Sequence, residues 1–147
     1  MKINVFDHPG SLLVRDYCSG DYSAISTLWD ATGLGGAVRG DDRFVIERSL
    51  SLGGRLLVAA WGNVIIATSW LTYDGRRMHM HHFVVDALFR RRGIGRLLTQ
   101  ASIGCAREMG VQIKLEVHRE NAAAISLYRS CGFEYLGDYD VYIIREP

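Results

Sequence analysis

Four arginines crowd one short glycine-containing stretch, Arg90-Arg91-Arg92-Gly93-Ile94-Gly95-Arg96. Glycine leaves out the Cβ where a bulky anion must come close, and the first turn of a helix offers unpaired N–H groups and the positive end of its dipole. Cations are disfavoured at that end unless an anion compensates them, so the stretch reads as a site for phosphate or pyrophosphate. A Walker loop is excluded because no Gly-Lys-Ser/Thr stands at the required spacing. A dinucleotide fingerprint would need glycine where Leu98 stands.

Downstream, Leu115-Glu116-Val117 sets a carboxyl group in an otherwise apolar run. Desolvation there would raise its pKa and suit it to accept a proton near neutrality. His81 and His82 are rival bases, and since neighbours on a strand point to opposite faces, at most one of them would meet a substrate. Tyr128, at helical spacing from Ile125, offers a hydroxyl that could donate a proton, and equally a ring that could fill a core. His79, His81 and His118 raise the question of a metal site, but no acidic or cysteine ligand stands at supporting spacing, and no metal is expected. Cys18, Cys105 and Cys131 are an odd set without a C-x-x-C pair, which reads as reduced, buried thiols rather than a disulfide framework or zinc site.

The elements that must hold these groups follow from periodicity and turn signals. Residues 12–16 suit a strand, and Asp21 caps a helix carrying Ile25, Leu28 and Trp29. The glycine-rich stretch 31–40 makes a loop, after which Asp41-Asp42 precede a second helix with Phe44, Val45, Ile46 and Leu50. Residues 55–61 and 63–73 form a hairpin about Gly62-Asn63, and Tyr73-Asp74-Gly75 turns the chain into a third strand over 76–86. A helix over 93–109 ends at Gly110, and a strand follows over 111–117. Asn121 caps a helix ending at Gly132, and residues 133–136 and 139–144 suggest a terminal hairpin about Gly137-Asp138. The order β α α β β β α β α β β describes a single α+β domain over 1–147: a mixed, mostly antiparallel central sheet with helices on both faces.

Composition narrows the function. A chain of 147 residues with 48% apolar and 22% charged residues is long enough to bury one core and does not match a disordered or collagen-like composition. A net charge of +1 gives no broad footprint for nucleic acid or an anionic membrane, so any anion site must be local. Met1-Lys2-Ile3-Asn4-Val5-Phe6-Asp7 opens no apolar signal core, and no window approaches the roughly 20 apolar residues of a membrane span. A soluble, cytoplasmic protein is expected.

The run Arg90-Arg91-Arg92-Gly93-Ile94-Gly95 resembles motif A of the GCN5-related N-acetyltransferases, Arg/Gln-x-x-Gly-x-Gly/Ala, and the run from Asn121 to Phe133 is similar to their motif B, in the family's order and spacing. The resemblance covers nearly the whole chain. It implies an acyltransferase that takes acetyl-CoA as donor and moves the acetyl group to a primary amine. The backbone of Phe83, Val84 and Val85 would pair with the pantetheine arm as an added strand would, and amides of Arg91, Arg92, Gly93, Ile94, Gly95 and Arg96 would hold the pyrophosphate, with Asn121 and Tyr128 also meeting the cofactor. It casts Glu116 as base and Tyr128 as acid. The Leu115-Glu116-Val117 triplet further resembles the bacterial enzymes that acetylate the N-terminal alanine of a ribosomal protein. Two departures stand out: Ala87 replaces a proline common after the strand, and the turn between Leu136 and Val141 is short where those enzymes carry a longer tyrosine-bearing loop. The expected partners are acetyl-CoA and an amine acceptor, either a small molecule or a peptide N-terminus. No nucleic acid or membrane partner is expected, while a homodimer stays open. The rival readings are a catalytically silent acyl-CoA-binding regulatory module and an enzyme using a longer acyl group.

Overall fold

A computed structural model describes residues 11–35 and 39–147. The first ten residues, read above for a leader, and residues 36–38 of the glycine-rich loop lie outside the described residues. The meander is built from β2 (Arg55–Trp61), β3 (Val64–Tyr73) and β4 (Arg77–Val85), joined antiparallel. Asp74 sets its second turn, its Oδ1 accepting the N–H groups of Arg76 and Arg77 at 2.7 Å each. The strand β1 (Leu12–Asp16) adds antiparallel to β2, and β5 (Gln112–Leu115) adds parallel to β4, giving the order β1-β2-β3-β4-β5.

Alternation along the strands builds a core on each face of this sheet. On β2, Leu56 and Val58 point to the face covered by α1 (Tyr22–Ala31) and α2 (Arg43–Ser51), where Ile25, Trp29, Ile46 and Trp70 meet them. Leu57 and Ala59 point the other way, toward Ile94, Leu98 and Cys105 of α3 (Ile94–Met109) and Tyr128 of α4 (Ala122–Ser130). Each fully buried Ile or Leu in these layers contributes about 1.5–3 kcal/mol. Asp42 caps α2 by accepting the Val45 N–H at 3.0 Å. Asp21 precedes α1 without capping it by side chain, and instead accepts from Arg15 and the Cys18 N–H, tying β1 to the helix start.

Several expectations change. Cys18 is exposed and Cys131 half-buried, leaving Cys105 as the buried thiol. The strand expected over 111–117 stops at Leu115, because its pairing with β4 ends at Met80, just before that strand bulges. The terminal hairpin does not form as strands. Gly137 and Asp138 do adopt positive φ, as a tight turn requires, but the flanking apolar residues stay exposed. A two-stranded hairpin is marginal by itself, and beyond Phe133, which packs on Tyr128 of α4, its large apolar residues are exposed.

Candidate active site

The site begins with one extra residue. Thr68 faces Val84 and Trp70 faces His81, so Ser69 alone stands opposite two residues of β4, His82 and Phe83. This is a β-bulge, and His82 takes it up with φ at +43°. Before the bulge Met78 and Met80 point to the α3 side; after it Phe83 and Val85 do, and Val84 joins Trp29 and Trp70 on the other side. The extra residue therefore turns both His81 and His82 toward the α2 face, where they line one cavity. The expectation that only one of the two could face a substrate fails because the strand is not regular there.

The bulge also opens the sheet. β5 pairs with residues 77–80 of β4 and with none beyond, so the outer edge of residues 81–85 is free of a strand neighbour among the described residues. The Asp86 N–H donates inward to Ile66 O at 2.8 Å. Since backbone groups of an antiparallel strand alternate in direction, the N–H groups of Phe83 and Val85 point outward and those of Val84 inward. Arg90 Nε donates to Val85 O at 3.2 Å, which agrees with that direction. Of the three backbone positions expected to pair with a ligand, Phe83 and Val85 present outward groups, while Val84 is buried and pairs with Thr68.

Beyond β4, Asp86 Oδ1 accepts the Leu88 N–H at 2.9 Å and starts a short 3-10 turn, Ala87–Phe89, so a carboxylate sets the bend in this chain, which carries Ala87 where a proline is common. Gly93 then precedes α3 with φ at +81°, and a Cβ there would meet nothing within 4 Å. Its need for glycine is conformational. Gly95 differs: a Cβ would lie 3.1 Å from Leu127 Cδ2 and 3.9 Å from Val85 Cγ2, so its missing side chain lets α3 lie close to α4. The clearance argued from sequence for an anion is thus, at Gly95, clearance for a neighbouring helix. Ile94 is buried, while Arg91, Arg92 and Arg96 are exposed at this turn, and Arg96 donates to Ser130 Oγ at 3.0 Å.

Tyr128 is buried with its ring edge-on to Phe83 and Phe133, at centroid distances of 5.6 and 5.8 Å. Burial pushes its phenol pKa up to about 12. Asn121 caps α4, its Oδ1 accepting the Ala124 N–H at 3.2 Å. Glu116 lies past the end of β5 and is exposed rather than enclosed in an apolar strand, and it makes no ion pair with Arg129 among the described residues. Its charge still reaches His81.

The cavity of about 230 Å³ between α2 and the sheet is lined by Asp41, Val45, Ser49, Trp70, Thr72, His81 and His82. Trp70 Nε1 donates to Ser49 Oγ at 2.8 Å, and His81 Nε2 bonds Thr72 Oγ1 at 2.9 Å. The His82 ring lies 4.3 Å from the Trp29 ring and 5.4 Å from that of Trp70. Its Nε2 approaches Asp41 Oδ2 at 3.3 Å, but the atom is buried and the pair is not aligned as a hydrogen bond. Desolvation, helped by Arg39, lowers the His82 pKa from 6.5 to about 4, so the ring is neutral at pH 7. The His81 pKa is lowered by desolvation as the pocket walls crowd its ring, and by His79 and His82, against the pull of Glu116 and Asp41. Burial raises the Asp41 carboxyl. Sequence reasoning placed Asp41 only before the second helix and assigned no site role to Trp29, Thr68 or Trp70. Three tryptophans in one short chain were a visible signal, but which of them would meet depends on the bulge. A larger cleft of about 330 Å³, near Arg15, Arg55 and Glu108, lies elsewhere and holds none of these groups.

A strand whose outer edge is released by a bulge thus leads through a glycine turn into a helix N-terminus. The chain belongs to the acetyltransferase (GNAT) family, whose model matches residues 24–133. It is 43% identical over 80 residues to the N-alpha-acetyltransferase RimI of Mycobacterium tuberculosis, covering 52% of this chain and 49% of that protein. It is 46% identical over 55 residues to the ribosomal protein bS18 alanine N-acetyltransferase of Salmonella typhimurium, covering 37% of each. The matches thus span about half or less of these curated relatives. The fold is that of an aminoglycoside N-acetyltransferase solved in complex with CoA, with a TM-score of 0.78 at 16% identity over 94% of this chain and 97% of that one. It is also that of the glucosamine-6-phosphate N-acetyltransferase of Arabidopsis thaliana, with a TM-score of 0.70 at 20% identity over 90% of this chain and 98% of that one. No helix among the described residues is long and apolar enough to cross a membrane.

Proposed function

We propose that the chain transfers an acetyl group from acetyl-CoA to a primary amine by direct attack while both substrates are bound. The observation that carries this reading is the free outer edge of residues 81–85 running into the turn before α3. The outward N–H groups of Phe83 and Val85 suit a pantetheine amide lying as an added strand, and that of Val85 suits a thioester carbonyl that gains charge during attack. The turn from Arg91 to Arg96 offers amides and cationic side chains to a pyrophosphate. Asn121, at the start of α4, is assigned a further contact with the cofactor.

An alkyl amine is mostly protonated at neutral pH and must lose a proton to attack. Glu116 takes the role of base, acting directly or through water, with His81 and His82 as rivals. Tyr128 takes the role of acid at the departing sulfur. Its raised pKa keeps it protonated at pH 7, so it stabilises the developing thiolate as a hydrogen-bond donor. The cavity bounded by Asp41, His81 and Trp70 suits the acceptor: aromatic walls with one carboxylate fit a compact cationic amine, and a peptide N-terminus would enter by the same charge.

The reading is tested by release of free thiol from acetyl-CoA across amines and peptide N-termini, with mass detection of the acetylated product. Acetyl, succinyl and longer thioesters are run side by side. A silent binding module would bind coenzyme A without turnover. Glu116→Gln is expected to lower the rate and shift its pH profile while leaving coenzyme A affinity unchanged. A wild-type rate and profile with the true acceptor would remove Glu116 from the mechanism.

A further inference from the structure

Four hydroxyls interrupt the apolar layers on the two sides of the sheet. Thr68, Ser69, Thr99 and Ser102 are the buried polar residues among the described ones, each 0% exposed. A hydroxyl taken from water costs free energy unless it is paired, so each is held by a specific partner. On the α1 side of the bulge, Thr68 Oγ1 accepts from Trp29 Nε1 and donates to His82 O. Ser69, opposite the bulge, points to the other side, where its Oγ meets Ser102 Oγ of α3 at 2.8 Å. Ser102 Oγ donates its single proton to Leu98 O at 2.8 Å, so Ser69 is the donor between the two hydroxyls. Nearly one turn closer to the helix start, Thr99 Oγ1 donates to Gly95 O at 2.7 Å. Apolar contact between α3 and the sheet is non-directional and tolerates a small slide of the helix along the strands. A bond between two buried hydroxyls is directional and removes that freedom.

We propose that Ser69 and Ser102 are positioning residues for the acetyl donor. Their bond sets the separation between the outer edge of residues 81–85 and the first turn of α3. Those two places would hold the pantetheine arm and the pyrophosphate of one cofactor, so the role rests on the acetyl-transfer reading. Ser69 stands opposite both His82 and Phe83, which fixes it to the edge through the bulge. Ser102 is seven residues along α3 from Gly95, about 10 Å up a continuous helix, so its placement is passed to the first turn. Between edge and helix the chain runs through a 3-10 turn and then Arg91 and Gly93, both with positive φ, without a regular element to set a length. Both serines are fully buried, so they act through the two elements and not by touching the donor.

The test compares acetyl-CoA with S-acetylpantetheine, which carries the thioester and the pantetheine amides but no pyrophosphate. The ratio of the two kcat/KM values is measured on the full chain with one acceptor, and any difference in the amount of folded enzyme cancels in it. Ser69→Ala leaves Ser102 bonded to Leu98 O and no hydroxyl unpaired. In that variant the ratio is expected to fall about 10-fold, through a raised KM for acetyl-CoA, since a small misplacement of two anchors suffices for such a loss. The double variant Ser69→Ala/Ser102→Ala should lose the same factor, because the first change already removes the bond. Thr68→Val loosens the edge itself and should lower both donors alike, leaving the ratio within about 2-fold of wild type. An unchanged ratio in Ser69→Ala, or a fall shared equally by both donors, would overturn the positioning role. So would a ratio that drops as far in Thr68→Val. Calorimetric binding of coenzyme A and of pantetheine to the same proteins keeps the two ideas apart. A wild type that binds coenzyme A without releasing thiol removes acetyl transfer, while the affinity ratio still decides the role of the serine pair; a wild type that does not bind coenzyme A overturns both.

Discussion

His82 gives the sharpest test of the site, because its ring is held neutral inside a wall of tryptophan. In the unfolded chain this imidazole takes up a proton near pH 6.5; in the folded chain it does so only at about 4. Between those values the unfolded state binds more protons, so stability falls as pH drops from about 6.5 to 4 and is unaffected by this group above that window. At about 1.4 kcal/mol per pH unit the full loss comes to ~3 kcal/mol. The opposing influence is Asp41, 3.3 Å from Nε2. A well-formed ion pair would raise the pKa, but the contact is misaligned, and burial raises the Asp41 carboxyl too, so desolvation prevails. Urea unfolding of wild type and His82→Gln from pH 4 to pH 8 should show the acid-side slope steeper in wild type, the difference cancelling the contribution of every other group. Imidazole nitrogen shifts provide the direct reading. A His82 ring that titrates at or above 6.5 would refute the argument and give the control to Asp41.

The two glycines of the turn should fail differently. Gly93→Ala is expected to cost about 1–2 kcal/mol through its positive φ whatever surrounds it. Gly95→Ala should cost a similar amount through the Leu127 contact, and in a Leu127→Ala background that cost should vanish, leaving the ~1 kcal/mol helix preference of alanine; unfolding of the double-mutant cycle decides this. Thr68→Val removes an acceptor from Trp29 Nε1 (2.9 Å) and a donor to His82 O (2.8 Å); a loss of about 1–3 kcal/mol is expected by urea unfolding, with a changed tryptophan emission. The Arg15 guanidinium holds the Asp21 carboxyl below its ordinary value of 3.8. Its contribution is therefore complete above about pH 4 and is lost as pH falls through the depressed folded-state value, so wild type should lose its advantage over Asp21→Asn in acid melts.

How far the sequence could be read depended on whether a feature was local. The strand over residues 12–16 and that over 55–61 emerged with their bounds, because short apolar runs and the glycine turns are properties of neighbouring residues. The helix start, read at Gly93 and found one residue later at Ile94, and the cap at Asn121 were legible for the same reason. Three things were not. The role of Gly95 depends on Leu127, thirty-two positions away in the sequence. The exposure of Glu116 depends on where β4 stops pairing with β5. The terminal strands were read from good local propensity, but a strand needs a neighbour, and propensity does not say which edge will supply it.

The bulge at His82 links these cases, since one residue in excess opposite Ser69 has three consequences. It ends the β4–β5 pairing and frees the edge on which a pantetheine arm would lie. It reverses the facing of β4, so that Phe83 reaches Tyr128 on one side while His82 reaches Trp29 on the other. It also sets His81 and His82 on the same wall as Asp41, making one cavity out of what a regular strand would have divided between two faces. The free edge and the cavity wall thus arise from the same irregularity in a single strand. A bulge that merely relieved strain would not need the bonds that Thr68 makes to both His82 O and Trp29. Those bonds hold the extra residue in a left-handed conformation that costs a non-glycine residue about 1–2 kcal/mol.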